Sequence, residues 1–325
     1  MRLRLLSARD IDAALPMVEA VEVITRAYES VSRQEAVMPQ RLAVQTPRGV
    51  SLFMPAYLAS EGALAVKAVS VFGGNPQRGL PVIHALVLVL ESETGRPKAL
   101  LDGTRLTALR TGAAAGAATK LLARPESRVM ALFGAGAQAF DQAAAVLAVR
   151  PIQEIRIYDP ARRPAETMAE RLKAAFPGLR AGRADSPAAA ARGADVISCA
   201  TTSRTPVFDP ADAAPGCHIN GVGSYTPDMK EVPVAGLKKA HFFVDQREAV
   251  LAEAGELIEA VDLGLIKKDD LVEIGLVSAG LAPGRRSEEE ITFFKSVGLA
   301  AQDAAASAAV LARAEATDMG TMIDL

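Results

Sequence analysis

The sequence predicts an α/β protein of two domains, one of them built on a parallel sheet with helices on both faces. Three observations lead there. The chain has 325 residues, and domains run to roughly 100–200 residues each. From Ser127 to about Lys239 strand-like and helix-like segments alternate, the rhythm of a parallel sheet. Between Pro39 and Asp102 short runs rich in Val, Leu and Phe are separated by Gly, Pro and Asn, as in a mostly antiparallel sheet with short connections.

Taken in order, residues 7–33 read as helix. Ser7 with Asp10 three positions on resembles a capping box, and Val18, Val21, Ile24, Tyr28 and Val31 recur at helical spacing. "RLAVQT", "SLFMPAYL", "LAVKAVSVF", "PVIHALVLVL" and "PKALLD" follow as strands. "TRLTALRTGAAAGAATKLLA" turns helical, and Gly112 and Gly116, four apart on one face, let another backbone come close. "VMALF", "EIRIY", a weaker strand near "LRAGR", "DVISCA", "CHINGVG" and "HFFVD" are the strands of the parallel sheet, with helices around 165–176 and 187–192. A long helix from Gly298 to about Ala316 ends the pattern.

The first strand of the parallel sheet runs into Gly134-Ala135-Gly136-Ala137-Gln138-Ala139, a G-x-G-x-x-A pattern between a strand and a helix. That context is what dinucleotide binding requires. The first glycine makes the tight turn, the second lets backbone approach a pyrophosphate, and the small third position lets helix pack on strand. Amides at the helix start then face the anion. The next strand ends at Asp159, an acid suited to a ribose hydroxyl pair. The combination predicts a Rossmann, doubly wound domain that binds NAD. Arg162 and Arg163 close behind Asp159 keep NADP possible.

Composition excludes other classes. The net charge is −2, with no long run of one sign, which argues against nucleic acid as a partner. Cys199 and Cys217 lack a C-x-x-C spacing, and His84, His218 and His241 are scattered, so no metal site is expected. No apolar run approaches a spanning helix and no secretory signal is visible. A cytoplasmic protein, away from membranes and with reduced thiols, is the expectation.

Three cations stand in apolar or small-residue surroundings. Lys67 in "ALAVKAVSVF" shares a strand face with Ala65, Val69 and Val71. A buried ammonium there must find a partner or lose its proton; a sheet-edge lysine reaching solvent is the alternative. With Arg41 in "PQRLAV" and Arg110 in "TALRTG" it would suit a substrate carboxylate, arginine giving the bidentate fork. In "INGVGSYTPDMKE", Gly221 and Gly223 permit close backbone approach to a ring or ribose, and Asp228 lies in the loop beyond. Asp228 is either a proton donor to a substrate nitrogen or a loop cap.

Together "AVMPQRL", "AVKAVSVFGGNPQRGLP", "LLDGTRLTALRTGAAAGAATKLLARP", "GAGAQA", "NGVGSYTPDMKE" and "FFKSVGLA" resemble the ornithine cyclodeaminase and μ-crystallin family over nearly the whole chain. The resemblance implies an α+β substrate-binding and dimerisation domain made of residues 1–120 and 302–325, with the Rossmann domain, 121–301, inserted. It implies that Arg41, Lys67 and Arg110 face a substrate carboxylate, Arg110 also lying near the cofactor. Gly134, Gly136, Ala137, Gln138 and Asp159 would hold the dinucleotide, with Thr201, Val222, Gly223 and Ser296 on the nicotinamide side. Lys67 and Asp228 would be catalytic, the acid handling the proton. Cyclodeaminases of the family carry an acid directly after the glycines, in a G-G-D-C-P-G-K pattern, where this chain has Ser224-Tyr225. The form here is more similar to the alanine dehydrogenase and imine reductase branch. The implied activity is NAD(P)-dependent oxidoreduction at the α-carbon of a small amino acid or its imine, by a homodimer. Redox-neutral deamination of ornithine to proline is one alternative, and a non-catalytic, μ-crystallin-like binding protein another. Met54 and Tyr57 would shape the substrate pocket.

Overall fold

Burial alternates along the strand that holds Lys67. In the computed structural model, which describes residues 2–237 and 240–325, Ala63, Ala65, Lys67 and Val69 point inward and their neighbours do not. Contacts divide the chain into Met1–Arg110 with Leu299–Leu325, and Thr111–Gly298. The divisions fall ten residues before the first boundary set out from the sequence and three before the second. The helix 103–122 explains the first, because from Thr111 onward its side chains serve the second unit. A Cβ at Gly112 would meet the Asp141 carbonyl oxygen at 2.5 Å, and Asn220 donates to Thr119 Oγ1 at 3.0 Å. The close backbone approach expected at Gly112 is therefore met.

The first unit contains β1 (Arg2–Leu6), β2 (Ala36–Val37), β3 (Leu42–Thr46), β4 (Gly49–Leu58), β5 (Ala63–Val71), β6 (Ile83–Leu90), β7 (Pro97–Asp102) and a closing strand, Thr321–Asp324. Their order is closing strand, β1, β7, β6, β5, β4, β2, with β3 also on β4. The pairs from β2 to β7 are antiparallel, as expected, whereas β1 runs parallel to β7. The sequence reading had no place for β1 or the closing strand. β1 is arginine-rich and short, and the closing strand is largely exposed.

The helix expected over 7–33 is two helices, α1 (Ala8–Ala14) and α2 (Met17–Ser32). Pro16 separates them as the N-cap of α2, since proline cannot donate within a continuing helix. The Ser7–Asp10 capping box is present. The closing helix, Ala300–Thr317, packs against β4, β5 and α2, and its alanines let it lie close to the sheet. On the opposite face Phe53 and Leu86 are exposed, Leu86 by 56%.

The second unit carries β8 (Val129–Phe133), β9 (Glu154–Tyr158), β10 (Arg180–Arg183), β11 (Val196–Cys199), β12 (His218–Gly221), β13 (His241–Val244), β14 (Leu271–Glu273) and β15 (Thr292–Lys295). Its order is β10-β9-β8-β11-β12-β15-β13-β14, and each pair is parallel. The chain steps outward from β8 to β10, then returns to β11 on the other side. The winding reverses between β8 and β11, which makes this a doubly wound sheet. Met130 and Leu132 enter one core cluster, Ala131 and Phe133 the other, so β8 is buried on both faces. β14 and β15 lie beyond the segment in which strands were expected, whose limit near Lys239 falls outside the described residues. Helices α3 (Gly103–Leu122), α4 (Ala139–Val149) and α5 (Arg162–Ala175) follow β7, β8 and β9 in turn. Among the described residues no helix is long and apolar enough to cross a membrane.

Candidate functional site

In the first unit, alternation along β5 turns Lys67 inward, where it is 2% exposed. It is not a sheet-edge lysine, because β4 and β6 flank it. Its Nζ lies 2.6 Å from Asp303 Oδ2 on the closing helix. Arg110 Nε donates to Asp303 Oδ1 at 3.0 Å, and Arg110 Nη1 donates to Gln302 Oε1 at 2.7 Å. Gln302 is fixed in turn, donating to the Tyr28 hydroxyl at 2.6 Å and accepting from Leu299 N at 3.0 Å. Burial pulls the Lys67 amine from 10.5 down to about 8; Asp303 opposes this, and Arg110 and half-buried Arg41 reinforce it. Burial alone would raise the Asp303 carboxyl, but Arg110 and Lys67 hold it below its ordinary value. At neutral pH the cluster is thus two buried cations on one carboxylate, with Arg41 near. Its lysine can give up a proton close to working pH. Sequence reasoning named the three cations and missed Asp303 and Gln302, which sit in an alanine-rich helix without a motif of their own.

In the second unit, Gly134 follows β8, Asp159 follows β9, Thr201 lies beyond β11, Val222 and Gly223 follow β12 and Ser296 follows β15. All are at the carboxyl edge of the sheet, around the switch point, where such folds bind ligands. Gly134 has φ +88°, a left-handed conformation that favours glycine, and a Cβ there would meet Ala200 O at 2.7 Å. A Cβ at Gly136 would meet no protein atom within 4 Å, so protein packing does not demand that glycine. The space beside it suits a pyrophosphate, with Ala137 and Gln138 leading into α4. Asp159 accepts from Ala135 N at 2.9 Å and Ala161 N at 2.8 Å, which holds its carboxylate at the glycine turn. Arg162 is committed to Glu166 at 2.7 Å. These residues fit a dinucleotide, and the Asp159 carboxylate fits an unphosphorylated ribose.

A buried polar layer supports this edge. The Glu231 carboxylate accepts from Thr201 N at 2.8 Å, Thr201 Oγ1 at 3.0 Å and Gly223 N at 2.5 Å. Lys295 Nζ lies 3.2 Å from Glu256 Oε1 and donates to the Ser224 carbonyl at 2.7 Å; Ser224 Oγ donates to Glu256 at 2.7 Å. Asp245 Oδ2 accepts from Ser296 Oγ, Val297 N and Gly298 N at 2.8–3.0 Å. The reason given for Gly223 from sequence needs correcting: a Cβ there would overlap the Thr201 backbone and Glu231, so the glycine admits protein rather than a ring. His218 bonds Thr292 Oγ1 and Asn220 Oδ1, and burial lowers it to about 3, as suits a structural histidine.

Asp228 differs from the acid expected. Its side chain is 57% exposed and lies 3.0 Å from Arg204 Nη2. Thr226 donates to it at 2.6 Å, and that bond holds the carboxyl below the usual range. A carboxyl held low is a poor proton donor at neutral pH.

The sequence model of the Ornithine cyclodeaminase/mu-crystallin family matches residues 2–318. Alanine dehydrogenase of Archaeoglobus fulgidus is 37% identical over 320 residues, 98% of this chain and 97% of the relative. Delta(1)-pyrroline-2-carboxylate reductase of Thermococcus litoralis, solved in complex with NADH and L-proline, superposes with TM-score 0.93 at 37% identity over 98% of this chain and 99% of that one. An archaeal alanine dehydrogenase dimer with bound NAD has TM-score 0.92 at 36% identity, over 100% of each chain.

Proposed function

This chain belongs to the ornithine cyclodeaminase/mu-crystallin family, and from that premise we propose that it is an NAD(P)-dependent oxidoreductase acting on the α-carbon of a small amino acid or its imine. The observation that carries this reading is Lys67, a buried lysine with its amine near 8 and a carboxylate partner. A nicotinamide dinucleotide, when bound, supplies or takes the hydride. Gly134, Gly136, Ala137 and Gln138 hold its pyrophosphate, Asp159 its ribose, and Thr201, Val222 and Ser296 its nicotinamide side, Gly223 serving instead to seat the loop against Thr201 and Glu231. Asp159 favours NAD over NADP, since a 2′-phosphate would meet a carboxylate whose neighbour Arg162 is already paired.

The first unit handles the other reactant. Arg41, Lys67 and Arg110 hold the substrate carboxylate and so fix the α-carbon, which is catalysis by positioning. Arg110 is rigid for this task because two of its nitrogens are committed to the closing helix. Lys67 is the proton-handling group: in the reducing direction it donates to the imine nitrogen, and a protonated imine is the better electrophile. The exposed, low-lying carboxyl of Asp228 does not suit that donation, so the proton role passes to Lys67. Met54, buried and opposite Lys67 in the β4–β5 register, borders the place where substrate side chains are sorted; Tyr57, three residues further along the strand, lies on the other face of the sheet with Phe53.

The relative solved with L-proline and the alanine dehydrogenases support a cyclic or short aliphatic substrate. The dimeric relative supports a homodimer, for which the apolar outer face of the first unit's sheet, with Phe53 and Leu86, supplies contact area. Cys199 and Cys217 are buried free thiols, consistent with a cytoplasmic setting.

The purified protein with NADH and pyrroline-2-carboxylate, or with pyruvate and ammonia, should consume the reduced cofactor in proportion to substrate. NAD with ornithine should give no ammonia. Ammonia and proline formed without net cofactor reduction would instead identify a cyclodeaminase.

A further inference from the structure

Glu231 lies on no strand or helix, yet it is wholly buried. Burying a carboxyl is costly unless it is well bonded, and this one is bonded to two separate loops. One oxygen takes the amide and hydroxyl of Thr201, beyond β11. The other takes the amide of Gly223, beyond β12. The absence of a side chain at Gly223 brings the loops together, because a Cβ would overlap the Thr201 backbone. The first of these loops is also what the glycine turn rests on, since Gly134 lies against Ala200 O.

We infer that Glu231 is a positioning residue for the dinucleotide crevice, its carboxylate clamping the loops after β11 and β12 in the spacing the cofactor needs. The inference rests on the proposed dinucleotide site and adds a control to it. The clamp depends on an ionised acceptor. A neutral acid would weaken the bonds from the two amides, which are stronger to an ionised acceptor, and would turn the Thr201 hydroxyl from donor to acceptor. The charged and titratable groups facing Glu231 are Lys295 on β15, Glu256 on α8 (Gly255–Asp262; α6 and α7 being Pro187–Ala191 and Arg247–Glu253) and Cys199 at the end of β11. Lys230, next in sequence, is paired with Glu259 at 2.6 Å. Burial raises the Glu231 carboxyl to about 7, with Lys295 opposing and Glu256 adding to the rise. The clamp therefore loosens as pH falls through the neutral range.

The test compares wild type with Glu231→Gln in NADH fluorescence titrations between pH 6 and 8.5, with thermal melting alongside. The glutamine side chain keeps the shape but turns an N–H toward a donor. A lost hydrogen bond to a charged group corresponds to an affinity loss of about tenfold or more. We expect that loss at pH 8, where the variant's weak binding should also vary little with pH. Wild type should weaken below about pH 7. Equal affinities at pH 8, or the same acid weakening in both proteins, would overturn the inference. If Glu231→Gln fails to melt cooperatively, Glu231→Asp takes its place; it should bind more weakly and keep the acid limb, and wild-type affinity would contradict the clamp. Hydrogen exchange at the Thr201 and Gly223 amides separates this inference from the wider reading. Wild-type protein that binds neither NADH nor NADPH sinks the proposed activity. Amides equally protected in wild type and variant sink the clamp.

Discussion

Lys67 Nζ lies 2.6 Å from Asp303 Oδ2, and Arg110 Nε lies 3.0 Å from the other oxygen of the same carboxylate. One acid, in a helix near the end of the chain, thereby pairs two cations drawn from a strand and a helix far earlier in sequence. Asp303 raises the lysine against burial and against the repulsion of Arg110 and Arg41. Asp303→Asn should therefore lower the Lys67 amine further below about 8. In the proposed mechanism imine reduction needs the protonated lysine, so wild-type kcat/KM should fall as pH rises through about 8. The variant's fall should begin at lower pH, and pH–rate profiles of the two proteins check this. The change also leaves buried cations short of a counterion, at a stability cost of roughly 3–5 kcal/mol that melting would show.

The proposed handling of the proton by Lys67 rather than Asp228 separates two variants. Lys67→Met should lower reductive kcat by about 10²–10⁴-fold, the usual worth of general acid–base help, while leaving NADH affinity intact. Asp228→Asn should change kcat by less than about tenfold, well short of that range. Steady-state kinetics with pyrroline-2-carboxylate distinguish them, and the opposite ranking would return the proton to the loop acid.

Legibility differed from residue to residue for physical reasons. The glycine turn, Asp159 and the strand–helix rhythm were plain, because each is local: a few neighbouring residues dictate the turn, the anion site and the alternation. Lys67 was legible as a buried cation because strand period alone puts it on the apolar face of β5. Its partner was not, since Asp303 reaches it only through tertiary packing of the closing helix. Glu231 was hidden for the same reason, being three residues past Asp228 in a loop whose sequence does not say which acid turns inward. The break at Pro16 was readable in principle, but the apolar spacing on either side outweighed it. β1 and the closing strand pair only with each other and with distant segments; the Arg-Leu alternation of β1 carries the strand period, whereas the closing strand is short and largely exposed.

The two glycines of the turn should respond differently to alanine. At Gly134 the left-handed backbone and the Ala200 carbonyl at 2.7 Å make a side chain strained, at roughly 1–3 kcal/mol. Gly134→Ala should lower the melting temperature as well as cofactor affinity. At Gly136 no protein atom opposes a Cβ. Gly136→Ala should melt close to wild type and still bind NADH more weakly, because the methyl group intrudes on the pyrophosphate. Melting curves paired with NADH titrations test the contrast, and a Gly136→Ala protein with unchanged affinity would place the pyrophosphate elsewhere.

The proposed cofactor choice rests on Asp159, whose carboxylate is held at the turn by Ala135 N and Ala161 N. Asp159→Ser should weaken NADH and improve NADPH relative to it, by tenfold or more in the ratio of kcat/KM values, tenfold being about 1.4 kcal/mol. Exposed Arg163 is then available to a 2′-phosphate. Ratios measured with one imine substrate at fixed pH decide the point.

Isotope transfer tests the central claim most directly. With NADH carrying deuterium on the transferring face of its nicotinamide ring and pyrroline-2-carboxylate as acceptor, mass spectrometry should find the proline formed heavier by a single deuterium, located at the α-carbon. Proline formed without deuterium at that carbon from either labelled face, or no proline from NADH or NADPH at all, would contradict hydride transfer to the α-carbon.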